Sequence, residues 1–130
     1  MHAAGDRCIF NIMSAPILIP LTPFTIVDLE IFRGQPFATL IKYVADISGH
    51  RIALGGEMHS DAEEELLKTG SSQADLWGGN LLPWRTPARI EHTSLINIRP
   101  ATGNRAIEIS DPLLRAEVEA IVKQWVVLPW

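Results

Sequence analysis

The chain has 130 residues, 47 % of them apolar and 20 % charged, with a net charge of −4 and a single cysteine, Cys8. That length holds one domain with a real core, and the charge gives no long-range attraction to nucleic acid or to an anionic membrane, so neither is favoured as a partner. One cysteine excludes an internal disulfide and points to a reducing, cytoplasmic setting.

Residues 1–14 carry no pattern and read as a tail; residues 15–130 read as one domain. The apolar stretch at 15–24 is broken by Pro16, Pro20 and Pro23 and falls short of the ~20 apolar residues of a membrane span. Early positive charge is limited to Arg7, beside Asp6, which argues against a secretory leader. Thr22-Pro23 has the form of an N-cap and first helical position, predicting a helix that carries Phe24, Val27, Leu29 and Ile31 and ends near Gly34. Residues 42–47 and 51–54 are β-prone around a Ser48-Gly49-His50 turn, which predicts a hairpin. Ser60-Asp61-Ala62-Glu63 reads as a capping box. It predicts a helix near 60–69 that turns Leu66 and Leu67 to the core and stops at Gly70 in the left-handed conformation.

Residues 71–89, rich in serine, glycine and proline, read as loop. Alternation at 90–99, a turn at 100–104 and alternation again at 106–110 predict a second hairpin, near 92–110. Asp111-Pro112 opens a last helix near 111–126, with Leu114, Val118, Ile121, Val122 and Trp125 inward. The order gives an α+β class: an antiparallel sheet built from two hairpins, with helices packed on it and one face covered.

Two polar blocks flank this frame. Glu57, His59 and Asp61 alternate, as a facial metal set would. Asp61 and Glu63 are already explained as helix-start acids, and the spacings of zinc sites are absent, so no metal or cofactor is expected. As a catalytic group, His59 would be a general base with Glu57 or Asp61 fixing its tautomer. No Gly-x-Ser-x-Gly elbow supplies a nucleophile. Arg99 and Arg105 flank the second turn with Asn97 and Asn104. Their forks suit a carboxylate or phosphate, although pairing with Glu57, Asp61 or Glu108 inside the chain accounts for them as well. Trp77 and Asn80, in the expected loop, would contact a ligand, or Trp77 would plug the core. Trp125, Val126, Val127, Leu128 and Trp130 make an apolar C-terminus that, if exposed, would suit a homo-oligomer contact.

Three blocks stand in order: Gly55-Gly56-Glu57-Met58-His59-Ser60-Asp61-Ala62-Glu63 with Gly70-Ser71; Leu76-Trp77-Gly78 with Asn80; and Ser94 to Pro100 with Gly103-Asn104-Arg105. In these, from about 42 to 122, the chain resembles an uncharacterised family of short bacterial proteins, a domain of unknown function. The resemblance implies a small soluble bacterial protein and no known activity. The residues then favour a ligand- or anion-binding module whose polar site joins residues 57–63 to 97–105, with Glu57, His59 or Asp61 meeting Arg99 or Arg105. An acid–base enzyme of hydrolase type using His59 with Glu57 or Asp61 is the alternative, and a protein-interaction or regulatory module the third; the sequence leaves open whether the chain is an enzyme.

Overall fold

The structure, a computed structural model, describes residues 15–130 and the backbone of one further strand, β1 (Arg7–Ile9). The Cys8 side chain and the rest of the expected tail lie outside the described residues. Five more strands follow: β2 (Ile17–Ile19), β3 (Ile41–Asp46), β4 (Arg51–Gly55), β5 (Leu76–Leu82) and β6 (Arg89–Glu91). They form one antiparallel sheet in the order β1-β2-β4-β3-β5-β6. Two helices, α1 (His59–Lys68) and α2 (Pro112–Trp125), pack on it. The α+β class is as the sequence predicts.

The β3–β4 hairpin also forms as predicted, from Tyr43 opposite Leu54 to Asp46 opposite Arg51. Asp46 holds its turn, accepting from the Ser48 and Gly49 amides at 3.0 and 2.8 Å and from the Ser71 hydroxyl at 2.6 Å. Strand alternation sends Tyr43, Ala45, Ile52 and Leu54 to one face, against Val118, Ile121 and Val122 of α2. Val44 and Ala53 go to the other, against Ala62 and Leu66 of α1. Helices therefore cover both faces, not one. The central strands are apolar at consecutive positions, as a strand buried on both sides must be.

Three local expectations are corrected. First, residues 24–34 are not an α-helix: Asp28–Phe32 makes a short 3-10 turn. Phe24 is instead bonded into the C-terminal segment, donating to the Trp125 carbonyl and accepting from the Val127 amide, each at 2.8 Å. The Asp28 carboxylate takes the Thr25 amide at 2.8 Å, a local bond that competes with helix. The apolar spacing fails too, since Phe24, Leu29 and Phe32 are buried while Val27 is 76 % exposed.

Second, the stretch read as loop contains β5, paired along its length with β3. Its glycines are there for closeness. A Cβ on Gly79 would collide with the Glu91 carbonyl oxygen and the Tyr43 hydroxyl, and one on Gly78 would lie 2.8 Å from the Ser94 Cβ.

Third, the chain does double back over 92–110, but not as two paired strands. After β6 it meets itself at two isolated bridges, Thr93 with Glu108 and Arg99 with Asn104, with one 3-10 turn, Leu95–Asn97, between them and a second, Pro100–Thr102, at the tip. Buried side chains replace the ladder. Asn97 acts as a strand residue toward Gly78, accepting its amide at 2.8 Å and donating to its carbonyl at 2.9 Å.

Helix α2 starts as predicted, with the Leu113 amide donating to the Asp111 carboxylate at 2.9 Å and Pro112 in the first turn. The apolar C-terminus folds back on the core: the Trp125 indole donates to the His50 carbonyl at 2.8 Å and the Trp130 indole to the Val126 carbonyl at 3.3 Å. In α1, Leu66 is buried as expected, Leu67 is exposed, and Gly70 follows at φ +107°.

Candidate ligand-binding site

The site is built on the start of α1. The predicted capping box does not form. The helix begins at His59 behind an extended Met58, and no side chain caps it. Ser60 is then two residues past the N-cap position, inside the first turn. What fixes the start is His59 itself, 9 % exposed, whose Nε2 lies 2.7 Å from the Gly79 carbonyl oxygen of β5. A carbonyl only accepts, so Nε2 carries the proton. Burial pulls the His59 pKa down to about 4, against opposing effects of the Gly79 bond and the Asn80 side chain. The ring is neutral across the physiological range.

In front of the uncapped first turn lies a groove of about 490 Å³, within the usual range for small-molecule sites. Lys42, Ser60 and Thr93 give it polar groups, and Leu95, Ile96 and Ile107 give it an apolar wall. Lys42 is partly exposed and stands over the Phe37 ring at 5.2 Å. A second hollow, of about 520 Å³, adjoins the first at Leu95 and Ile96 and runs past Glu63 to Arg99 and Thr102. Leu95 is 73 % exposed and stands between the two as a ridge. The two polar segments read from the sequence therefore do adjoin.

Their direct contact is made by a different pair from those expected. Arg99 Nη2 lies 3.9 Å from Glu63 Oε2. Glu57 and Asp61 are exposed, and His59 is turned to Gly79, so none of these three side chains makes the ion pair. Arg99 itself is anchored inside the chain: it donates to the Ala74 carbonyl at 3.2 Å and to the Leu76 carbonyl, and its guanidinium lies over the Trp77 ring at 4.5 Å. Burial lowers its pKa from the ordinary arginine value, with Glu63 and Asp75 opposing. Asn97 and Arg99 together cover the edge of β5 beyond the reach of β6.

The other residues singled out divide similarly. Asn104 is buried; it donates to the Asn97, Ala106 and Glu108 carbonyls and accepts from the Ser110 amide and hydroxyl. Trp77 is buried in the core, with its indole nitrogen enclosed and unpartnered. Asn80 sits in β5, 3.4 Å from Glu91 Oε1 and from the Thr93 hydroxyl. Arg105 is exposed and has no ion-pair partner among the described residues. No group of three or more His, Cys, Asp or Glu side chains stands ready for a metal among the described residues.

One cluster escaped the sequence reading. On the α2 face the Tyr43 hydroxyl donates to the Glu91 carbonyl at 3.0 Å and lies 3.3 Å from His92 Nδ1; His92 Nε2 lies 3.4 Å from Glu119. Burial, with Glu119 and Glu91 nearby, raises the Tyr43 pKa far above the usual phenol range, so the hydroxyl stays protonated. Tyr43 is fully enclosed, and the cluster ties β3, β6 and α2 together. Alternation places Tyr43 inward, but no spacing in the sequence links it to His92 or Glu119.

No helix among the described residues is long and apolar enough to cross a membrane. No curated protein and no solved structure matches the chain. The family of proteins of unknown function DUF5674 matches it over residues 21–125, a span that takes in both polar blocks, the glycine strand between them and all of α2. With most of its length matched, the chain belongs to the DUF5674 family.

Proposed function

We propose that this protein is a small-ligand-binding module, and that the groove at the start of α1 takes a molecule with an anionic head and an apolar body. The observation that carries the reading is an uncapped helix N-terminus opening onto a groove with Lys42 at its rim. The Asp61 amide donates to the Met58 carbonyl at 3.0 Å; the His59 and Ser60 amides ahead of it, with the helix dipole, favour an anion there. Lys42 adds a full charge, and the Ser60 and Thr93 hydroxyls add donors. Leu95, Ile96 and Ile107 would cover the aliphatic part. In this reading Asn97, Asn104, Arg99 and Trp77 form the frame that shapes the groove. Asn80 braces its floor, and Arg105 stands outside it. A lone cysteine favours a reducing compartment, the cytoplasm, in this reading. Self-association through the C-terminal segment has less to recommend it, since Trp125, Leu128 and Trp130 pack on the core.

The test is a calorimetric titration with hexyl phosphate and hexanoate, with hexanol as the uncharged control. Saturable binding of the two anions, weakened about tenfold in Lys42→Met by loss of the charge contact, is the expected result. Equal binding of hexanol, or no difference in Lys42→Met, would refute the anionic head. The acid–base alternative has less support: His59 is held neutral and bound to a backbone carbonyl, with neither Glu57 nor Asp61 orienting it.

A further inference from the structure

The second hollow presents a different chemistry. Glu63 is 8 % exposed, and its Oε2 is fully enclosed. No hydrogen bond reaches either carboxylate oxygen among the described residues. Its ion-pair partner, Arg99, is held off at 3.9 Å because the guanidinium is committed to the Ala74 and Leu76 carbonyls. A buried carboxylate without donors is costly, and Oε1, the oxygen not enclosed in this way, is the one a donor in the hollow would meet. Two carboxylates, Glu63 and Asp75, act on the single guanidinium of Arg99, so the local balance stays negative. The walls beside Glu63 are Ile96, Ile98, Pro100 and Ala101, with Gln73 and Thr102 as polar groups.

We infer that this hollow binds an alkylammonium group, with the charged nitrogen on Glu63 and the short aliphatic chain along Ile96, Ile98 and Ala101. The assignment goes beyond the anion groove and does not depend on it. An alkylammonium matches both features of the hollow: it supplies hydrogen-bond donors to a carboxylate that has an ion-pair partner but no hydrogen bond, and its methylenes gain from apolar burial. The same group is carried by a free small amine and by a lysine side chain.

Amide-resolved NMR titration separates the possibilities. The probes are butylammonium, butanol as the neutral isostere, and Nα-acetyl-lysine amide as the protein-borne form. Butylammonium is expected to shift the Glu63, Gln73, Ala101 and Thr102 amides saturably, and butanol is not. Glu63→Gln, which keeps the shape and removes the charge, should weaken binding at least tenfold. Should that variant fail to fold, Ala101→Trp fills the exposed side of the hollow with Glu63 intact and should abolish the response. Comparable binding of the capped lysine would assign the site to a lysine side chain, and binding of butylammonium alone to a free amine. A response to butanol equal to that of butylammonium, unchanged affinity in Glu63→Gln or in Ala101→Trp, or shifts elsewhere on the surface would overturn the inference. Because the anion groove is read at other amides, either site can fail alone.

Discussion

At the scale of single residues, His59 illustrates how one bond decides a role. Its Nε2 proton goes to the Gly79 carbonyl at 2.7 Å, joining the first turn of α1 to β5. His59→Ala should therefore cost ~1–3 kcal/mol in a urea titration, since the carbonyl is left unpaired where water has poor access. A His59→Ala variant as stable as the parent would return the histidine to the list of candidate bases. Its titration carries a second expectation. An unfolded histidine takes its proton near 6.5 and the folded one near 4, so the unfolded state binds more protons between those values. The stabilisation is whole above pH 6.5 and lost as pH falls toward 4, an effect of up to ~3 kcal/mol. His59→Gln should flatten that part of the stability-against-pH curve, and an unchanged slope would count against the buried neutral ring. The sequence marked His59, Asn97 and Asn104 as unusual. It could not say whether their polar atoms face a ligand or the chain's own backbone, because that depends on which strand edge each one meets.

Among the elements, legibility followed locality. The β3–β4 hairpin and α2 were readable because their signals lie within a few residues: a glycine turn between β-prone runs, and an aspartate cap with proline behind it. Asp111→Ala should accordingly cost ~1 kcal/mol, measured as a lower midpoint of thermal unfolding. β5 was not readable. Its two glycines look like loop residues until Glu91 and Tyr43 are brought against them from elsewhere in the chain. Gly79→Ala should therefore be severe, at ~3 kcal/mol or more, because the Cβ meets backbone and a buried hydroxyl that cannot move aside. Soluble, fully folded Gly79→Ala protein would show that β5 sits differently. The expected helix at 24–34 failed for a similar reason: the backbone donor and acceptor of Phe24, its first residue, are claimed by the C-terminal segment, about a hundred residues away along the chain.

For the molecule as a whole, the sheet with a helix layer on each face brings the two polar blocks to one side, beside α1, with the Leu95 ridge dividing the space into two hollows. The sequence foresaw that these blocks meet, but assigned the meeting to Glu57, His59 or Asp61 when it is made by Glu63. Glu63, read as a helix-start acid, lies one turn before the buried Leu66 and so shares its inward face. The central claim is that the start of α1 receives an anion. It is tested most directly by amide-resolved NMR titration with hexyl phosphate. The largest saturable shifts should fall on His59 and Ser60, and on Lys42 and residues 93–96 across the groove. Shifts gathered instead at Arg105 and the 100–104 turn, or no saturable shift at all, would contradict it.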